Sequence, residues 1–217
     1  MARTHAPKIL TRTLPALVLC ALCLSCPALA QTAGQPVSQP PSHDKQRGAD
    51  AARPPVPDVE VLDQDGRKLR FYSDLIKGKT VAINFVFTTC TYVCPMQGGN
   101  FARLQLALGE RLGKDVHLIS ITTDPSNDTP QKLKEWGAKY KVRPGWTLVT
   151  GGKAEIDELL KELTGEPAGT GKHVPATLVG DFDRGLTSGV YGLAEPDRYL
   201  ALFAQIGKGA AQPPAKK

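Results

Sequence analysis

The sequence predicts an α/β fold with a central mixed β-sheet flanked by helices. Three observations lead there. Thr80–Phe87 (TVAINFVF) and Val116–Thr122 are almost unbroken runs of apolar and β-branched residues, as strands covered on both faces must be. Stretches with helical periodicity lie between the strand-like runs, which is the pattern of βαβ units. After Pro175 the order is strand, tight turn, strand, helix, so the last pair is a hairpin and the sheet is mixed.

Taken in order, Val59–Leu62 and Leu69–Phe71 flank Asp65-Gly66 and read as an N-terminal β-hairpin. Thr88–Val93 is a loop after the first buried strand. Pro95 suits the first position of a helix running to about Leu112. Thr129–Tyr140 is a second helix, again with a proline near its start. Thr147–Thr150 is a short strand. Ala154–Leu163 is a helix with apolar residues at 156, 159, 160 and 163. Pro175–Gly180 and Leu186–Tyr191 form the closing hairpin about Asp181–Gly185, and Pro196–Ile206 is the last helix.

The chain has 217 residues, of which 41% are hydrophobic, enough for one ordinary domain with tails. Its N-terminus reads as an export signal: Arg3, Lys8 and Arg12, an apolar run from Leu14 to Cys26, then Ala28-Leu29-Ala30 before Gln31. A cleaved signal and an uncleaved N-terminal anchor both stay open, and Leu24-Ser25-Cys26 has some likeness to a lipoprotein box. Residues 31–57, rich in Gln, Ser, Pro, Ala and charge, read as a flexible linker, and 207–217 as a disordered tail. The folded domain is expected at 58–206, in a periplasmic or otherwise exported protein. The net charge is +6, and three of those cations lie in the leader. What remains is too scattered to argue for nucleic acid but leaves room for an acidic partner.

Of the five cysteines, Cys20, Cys23 and Cys26 lie in the leader as small hydrophobes. That leaves Cys90 and Cys94. Two thiols four apart can be a structural disulfide, a redox pair or metal ligands. So short a loop would stabilise little as a disulfide, so chemistry is the better reading. The pair follows a buried strand and straddles a helix start, where free N–H groups and the positive helix end stabilise a thiolate. Residues four apart on a helix also converge, and two soft thiolates suit Cu(I) or Zn(II).

Several segments together resemble the Sco/SenC family. They are Phe85-Val86-Phe87-Thr88-Thr89-Cys90-Thr91-Tyr92-Val93-Cys94-Pro95, Thr123-Asp124-Pro125 with Asp128-Thr129-Pro130, Trp146 to Gly151, and His173 before a strand. The resemblance covers about residues 57–206. It implies a thioredoxin-like fold and one copper ion per chain, Cu(I) or Cu(II), held by Cys90, Cys94 and His173. It also implies a part in assembling the dinuclear copper centre of cytochrome c oxidase. The partners implied are a copper-accepting oxidase subunit and a copper donor chaperone, with no nucleic acid and no membrane contact beyond an N-terminal anchor. A monomer is the default.

Three histidines compete for the third ligand position. His43 lies in the linker, and His117 interrupts a strand and reads as a residue that packs or hydrogen bonds at the sheet margin. His173 stands before a proline-led strand, which in thioredoxin-like proteins lies against the cysteine helix. Met96 is expected to pack under the first helical turn. Asp124 ends the neighbouring strand, where open α/β sheets gather ligands, and is read either as a second-shell acceptor or as a turn residue. The C-x-x-x-C spacing differs from the C-x-x-C of thiol oxidoreductases, which favours metal holding over fast disulfide exchange. Three uses remain open: copper chaperone rather than enzyme, thiol-disulfide reductase with Cys90 and Cys94 as a redox-active disulfide pair, or copper and redox sensor. Gly98 and Gly99 weaken the early cysteine helix, and the sequence gives no reason for them.

Overall fold

The computed structural model describes residues 56–168 and 175–209. The leader, His43, His173 and most of the linker and tail lie outside the described residues. Among the described residues no helix is long and apolar enough to cross a membrane.

Among the described residues seven strands form one sheet: β1 (Glu60–Asp63), β2 (Lys68–Arg70), β3 (Thr80–Val86), β4 (Val116–Thr122), β5 (Trp146–Thr150), β6 (Ala176–Asp181) and β7 (Leu186–Tyr191). Their order is β2-β1-β5-β4-β3-β6-β7. β3, β4 and β5 are parallel, while β1, β2, β6 and β7 pair antiparallel at the two margins. Four α-helices accompany them among the described residues: α1 (Val93–Leu108), α2 (Pro130–Ala138), α3 (Lys153–Thr164) and α4 (Pro196–Gly209). The mixed sheet flanked by helices is the architecture the sequence predicts.

The two apolar runs are central strands because both faces of the sheet are covered. Along β3, Ala82 and Val86 join one cluster with Phe101 and Leu104 of α1, Leu133 and Trp136 of α2, and Leu202 and Phe203 of α4. The alternate residues Val81, Ile83 and Phe85 join the other, with Ile156, Leu159 and Leu160 of α3. Fully burying such a side chain is worth about 1.5–3 kcal/mol, so β3 and β4 are the fixed centre of the molecule.

Several boundaries differ from the sequence expectation, each for a local reason. Phe71 does not continue β2; Phe71–Ile76 is a single π-helical turn that buries Phe71, Leu75 and Ile76 under the second cluster. The cysteine helix ends at Leu108, because Gly109 takes φ +53° and the chain tightens into a 3₁₀ turn at Gly109–Arg111. α4 continues through Gly209, and Val56 is already buried in the core.

Candidate metal centre

β3 and β4 run side by side, and the chain leaves β3 into a loop that returns as α1. Cys90 lies in that loop and Cys94 in the first turn of the helix. The helix begins at Val93, two residues before Pro95, so the proline is the third helical residue rather than the first. It is tolerated there because the first helical N–H groups have no intrahelical partner to lose. The N-cap residue Tyr92 supplies no side-chain hydrogen bond. The Cys90 sulfur takes that part: the Cys94 N–H donates to Sγ of Cys90 at 3.3 Å.

This geometry divides the two thiols. Both are free, Cys90 half-buried and Cys94 fully buried. Burial alone would raise the Cys90 thiol. Hydrogen bonds from the Cys94 side chain and from the backbone N–H groups of Cys94, Tyr92 and Val93 outweigh it, and hold the thiol below its ordinary value. Cys94 moves the other way, pushed up to about 12 by burial first, then by its bond to Cys90 and by the nearby negative charges. The two sulfurs are pushed in opposite directions, Cys90 toward the thiolate and Cys94 toward the protonated thiol.

A buried carboxylate fixes the loop that carries Cys90. Asp128, fully buried, accepts from the Thr88 N–H at 3.1 and 3.2 Å, from the Thr88 hydroxyl, and from the Thr122 hydroxyl at 2.6 Å. Thr150 donates to its backbone oxygen at 2.7 Å. Charge-assisted bonds of this number are what a carboxylate away from water requires. Asp124 lies two residues past the end of β4, and its carboxylate is taken by the Asn127 amide at 2.9 and 3.1 Å. Its carbonyl oxygen accepts from the N–H of Asn127 and of Asp128, so Asp124 closes the turn that brings Asp128 under Thr88. The carboxylate hydrogen-bonded to the loop that carries Cys90 is Asp128, which the sequence reading quoted only as part of a motif. An aspartate directly before a Thr-Pro helix start was the available signal.

Tyr140 was also missed. Its ring lies on Trp136 with centroids 4.5 Å apart, and against α1 at Gly98, where a Cβ would come within 2.5 Å of the ring. Gly98 is thus needed for the close approach of Tyr140, one turn below Cys94, whereas nothing crowds Gly99. Burial, then the charges of Cys94 and Cys90, raise the Tyr140 phenol. Gln97, also one turn below Cys94, is buried with neither amide atom hydrogen-bonded.

The other sequence candidates separate. His117 opens β4 beside Val81, five residues and roughly 17 Å along the strand from Thr122. It is held low by burial first and then by Lys79, with its ring bonded to the Lys114 backbone. Met96 is 49% exposed rather than packed under the helix, as is Tyr92 at 82%. Among the described residues, no three or more His, Cys, Asp or Glu side chains converge as metal ligands.

The SCO1/SenC family profile matches residues 50–168, which contain Cys90, Cys94 and Asp128. The chain belongs to the SCO1/SenC family. His173 lies beyond the matched stretch. A Stutzerimonas stutzeri protein named as copper-binding is 34% identical over 146 residues, 67% of this chain and 66% of its own. Among solved structures, a Sco protein described with a disulfide switch, from the Sco family of cytochrome c oxidase assembly proteins, superposes with a TM-score of 0.60. It is 24% identical and covers 77% of this chain and 100% of its own. Yeast Sco1 with copper bound gives a TM-score of 0.57 at 19% identity, covering 76% and 98%. These likenesses establish the Sco thioredoxin-like fold. The chain spans about half to two thirds of the length of the curated relatives it matches.

Proposed function

We propose that this SCO1/SenC protein carries copper, as cargo, to a copper-accepting subunit of cytochrome c oxidase outside the cytoplasm. Cys90, Cys94 and His173 are the ligands in this reading. The observation that carries it is the thiol pair at the start of α1, free and in mutual contact, with one sulfur stabilised as a thiolate by backbone N–H groups. Soft, low-coordinate sulfur suits Cu(I), and an imidazole from His173 would complete the set and help retain Cu(II). Binding of copper displaces the Cys94 proton, so loading is coupled to proton release. Asp128 holds the Cys90 loop from behind, and a partner that supplies its own donors would take the metal by ligand exchange. The names of its relatives, one a copper-binding protein and one from a family of oxidase assembly proteins, agree with this use.

Titrating the reduced, metal-free protein with Cu(I) under a competing chelator tests the reading. One copper per chain is expected, with binding largely lost in Cys90→Ser, Cys94→Ser and His173→Ala. Wild-type affinity in His173→Ala would remove that residue from the ligand set. Wild-type affinity in both cysteine variants would end the proposal.

The split in acidity favours a second use, reduction of a disulfide in the oxidase subunit. The Cys90 thiolate would attack one sulfur of the partner disulfide and expel the other as a thiolate. Cys94 would then lose its proton, attack Cys90 and release the second partner thiol. The partner gains two electrons and two protons, and Cys90–Cys94 becomes the disulfide. A measured reduction potential more oxidising than that of the partner would exclude it.

A further inference from the structure

Toward the far end of α1 from the thiols, the outer face of the helix and the turn after α2 border a recess of about 310 Å³ whose floor is Ala102, Leu106 and Tyr140. Leu106, in the last turn of α1, is 67% exposed. Lys139, Lys141 and Arg143 stand around the rim, all exposed. None of the three has a carboxylate within ion-pair distance among the described residues. The nearby Arg103, Arg111 and Lys114 are each paired, with Glu195, Asp115 and Glu110.

The rim is held in place by α1. Gln105 is buried, and its amide N–H donates to the carbonyl oxygens of Tyr140 at 3.0 Å and Lys141 at 3.1 Å. Its amide oxygen accepts from the Arg143 N–H at 3.2 Å. Between those anchors Lys141 takes φ +52°, the one positive φ outside glycine among the described residues. A lysine in the left-handed region costs about 1 kcal/mol or more, and such strain persists where surrounding structure enforces it, often at functional sites. The enforcing group here is Gln105, which anchors the backbone of the 140–143 turn, and three cations stand around an apolar floor.

We propose that this recess is the docking site for a partner protein's acidic segment, in which carboxylates flank one large apolar residue. The apolar residue would sit on Leu106 and Ala102, and the carboxylates would meet Lys139, Lys141 and Arg143. Leu106 lies twelve residues from Cys94, about 18 Å along the helix, and Tyr140 bridges the interval by its contact at Gly98. A segment of about six extended residues seated there would reach the cysteine pair. The inference rests on the proposed function only in that an assembly factor must meet a partner; the recess itself involves neither copper nor the thiols.

The test is an NMR titration of the ¹⁵N-labelled full chain, metal-free, with a synthetic peptide of alternating Asp and Glu around a central Leu-Phe. Saturable shifts are expected at residues 102–106 and 139–143. Charge reversal at all three cations should weaken binding by about tenfold or more, and high salt should weaken it as well. Lys141→Gly, which keeps the backbone conformation while removing one charge, should fold normally and lose affinity partially. The proposal is overturned by absent or scattered shifts, by equal binding of a peptide with lysines in place of the acids, or by full affinity in the charge-reversed variant. Phosphatidylglycerol vesicles that shift the same amides where the peptide does not would make the occupant a membrane surface, and would overturn it too. Cys90→Ser/Cys94→Ser should bind the peptide as wild type does. Failure of the copper reading and failure of this one therefore give different results.

Discussion

Asp128 has no cationic partner among the described residues and is satisfied by hydrogen bonds from Thr88 and Thr122. Asp128→Ala removes the acceptor from one backbone N–H and two hydroxyls at once. Leaving a buried donor unsatisfied costs about 1–3 kcal/mol. Thr122 is fully buried and Thr88 half-buried, so Thr122 and the Thr88 N–H carry most of the loss. Set against that is the relief of no longer burying a charge, which leaves a net destabilisation of about 3 kcal/mol. Asp128→Asn keeps the size and one acceptor, and a threonine hydroxyl can turn to accept from the new amide, so about 1–2 kcal/mol is expected. Urea unfolding of the reduced protein reads both, from the midpoint at constant slope. A second measurement separates local from global effects. Thr88 is two residues before Cys90, so loss of its anchor should disturb the capping contact of the Cys90 sulfur with the Cys94 N–H. The Cys90 thiol should then move back toward its ordinary value in Asp128→Ala. A loss below about 1 kcal/mol with unchanged Cys90 acidity would refute the claim that Asp128 fixes this loop.

Two further outcomes follow from the same geometry. In the reduced, metal-free protein, alkylation read by mass spectrometry should modify Cys90 first, at a pH below that of an ordinary thiol. Cys94 should stay unmodified until strongly alkaline pH or unfolding; equal labelling of both near neutral pH would contradict the assigned division. The glycine pair should respond in opposite directions. Gly99→Ala meets nothing and should stabilise α1 by about 0.5–1 kcal/mol. Gly98→Ala drives a methyl into the Tyr140 ring and should destabilise by about 1–3 kcal/mol despite its better helix propensity; equal stabilisation by both would disprove the packing.

The centre of the fold was legible because burial on both faces leaves a strong mark in sequence. β3 and β4 are that mark, and β4 coincides with its expected bounds. The start of α1 was not, since the usual signals mislead there. Pro95 suggested a first position, while the true cap is the sulfur of Cys90, a residue type not used to locate helix ends. The turn at Phe71–Ile76 was lost for a different reason: six residues of mixed character carry no period long enough to read. Asp128 and Tyr140, which the sequence reading did not single out, each have a partner 35 or more residues away, Thr88 for Asp128 and Gln105 for Tyr140. Pattern reading along the chain has no access to such pairs. Gly98 was visible as an oddity, and only the ring of Tyr140 explains it.

α1 brings these features together. Its buried face is not a simple apolar stripe, since Gln97, Asn100 and Gln105 are interleaved with Phe101, Leu104 and Leu108. Two of the three amides are ties rather than packing. The Asn100 amide donates to the Ala194 carbonyl at 3.0 Å, and its oxygen accepts from Arg103, which also pairs with Glu195. Gln105 holds the 140–143 turn on the opposite flank. A helix held only by apolar packing can shift along its ridges at little cost, whereas directional bonds on both flanks fix its rotation and register. That matters at its first turn, where a sulfur must meet a backbone N–H at 3.3 Å. The polar residues that blur the helical pattern in the sequence are therefore the ones that let α1 hold two thiols in contact, with the basic recess three turns below them.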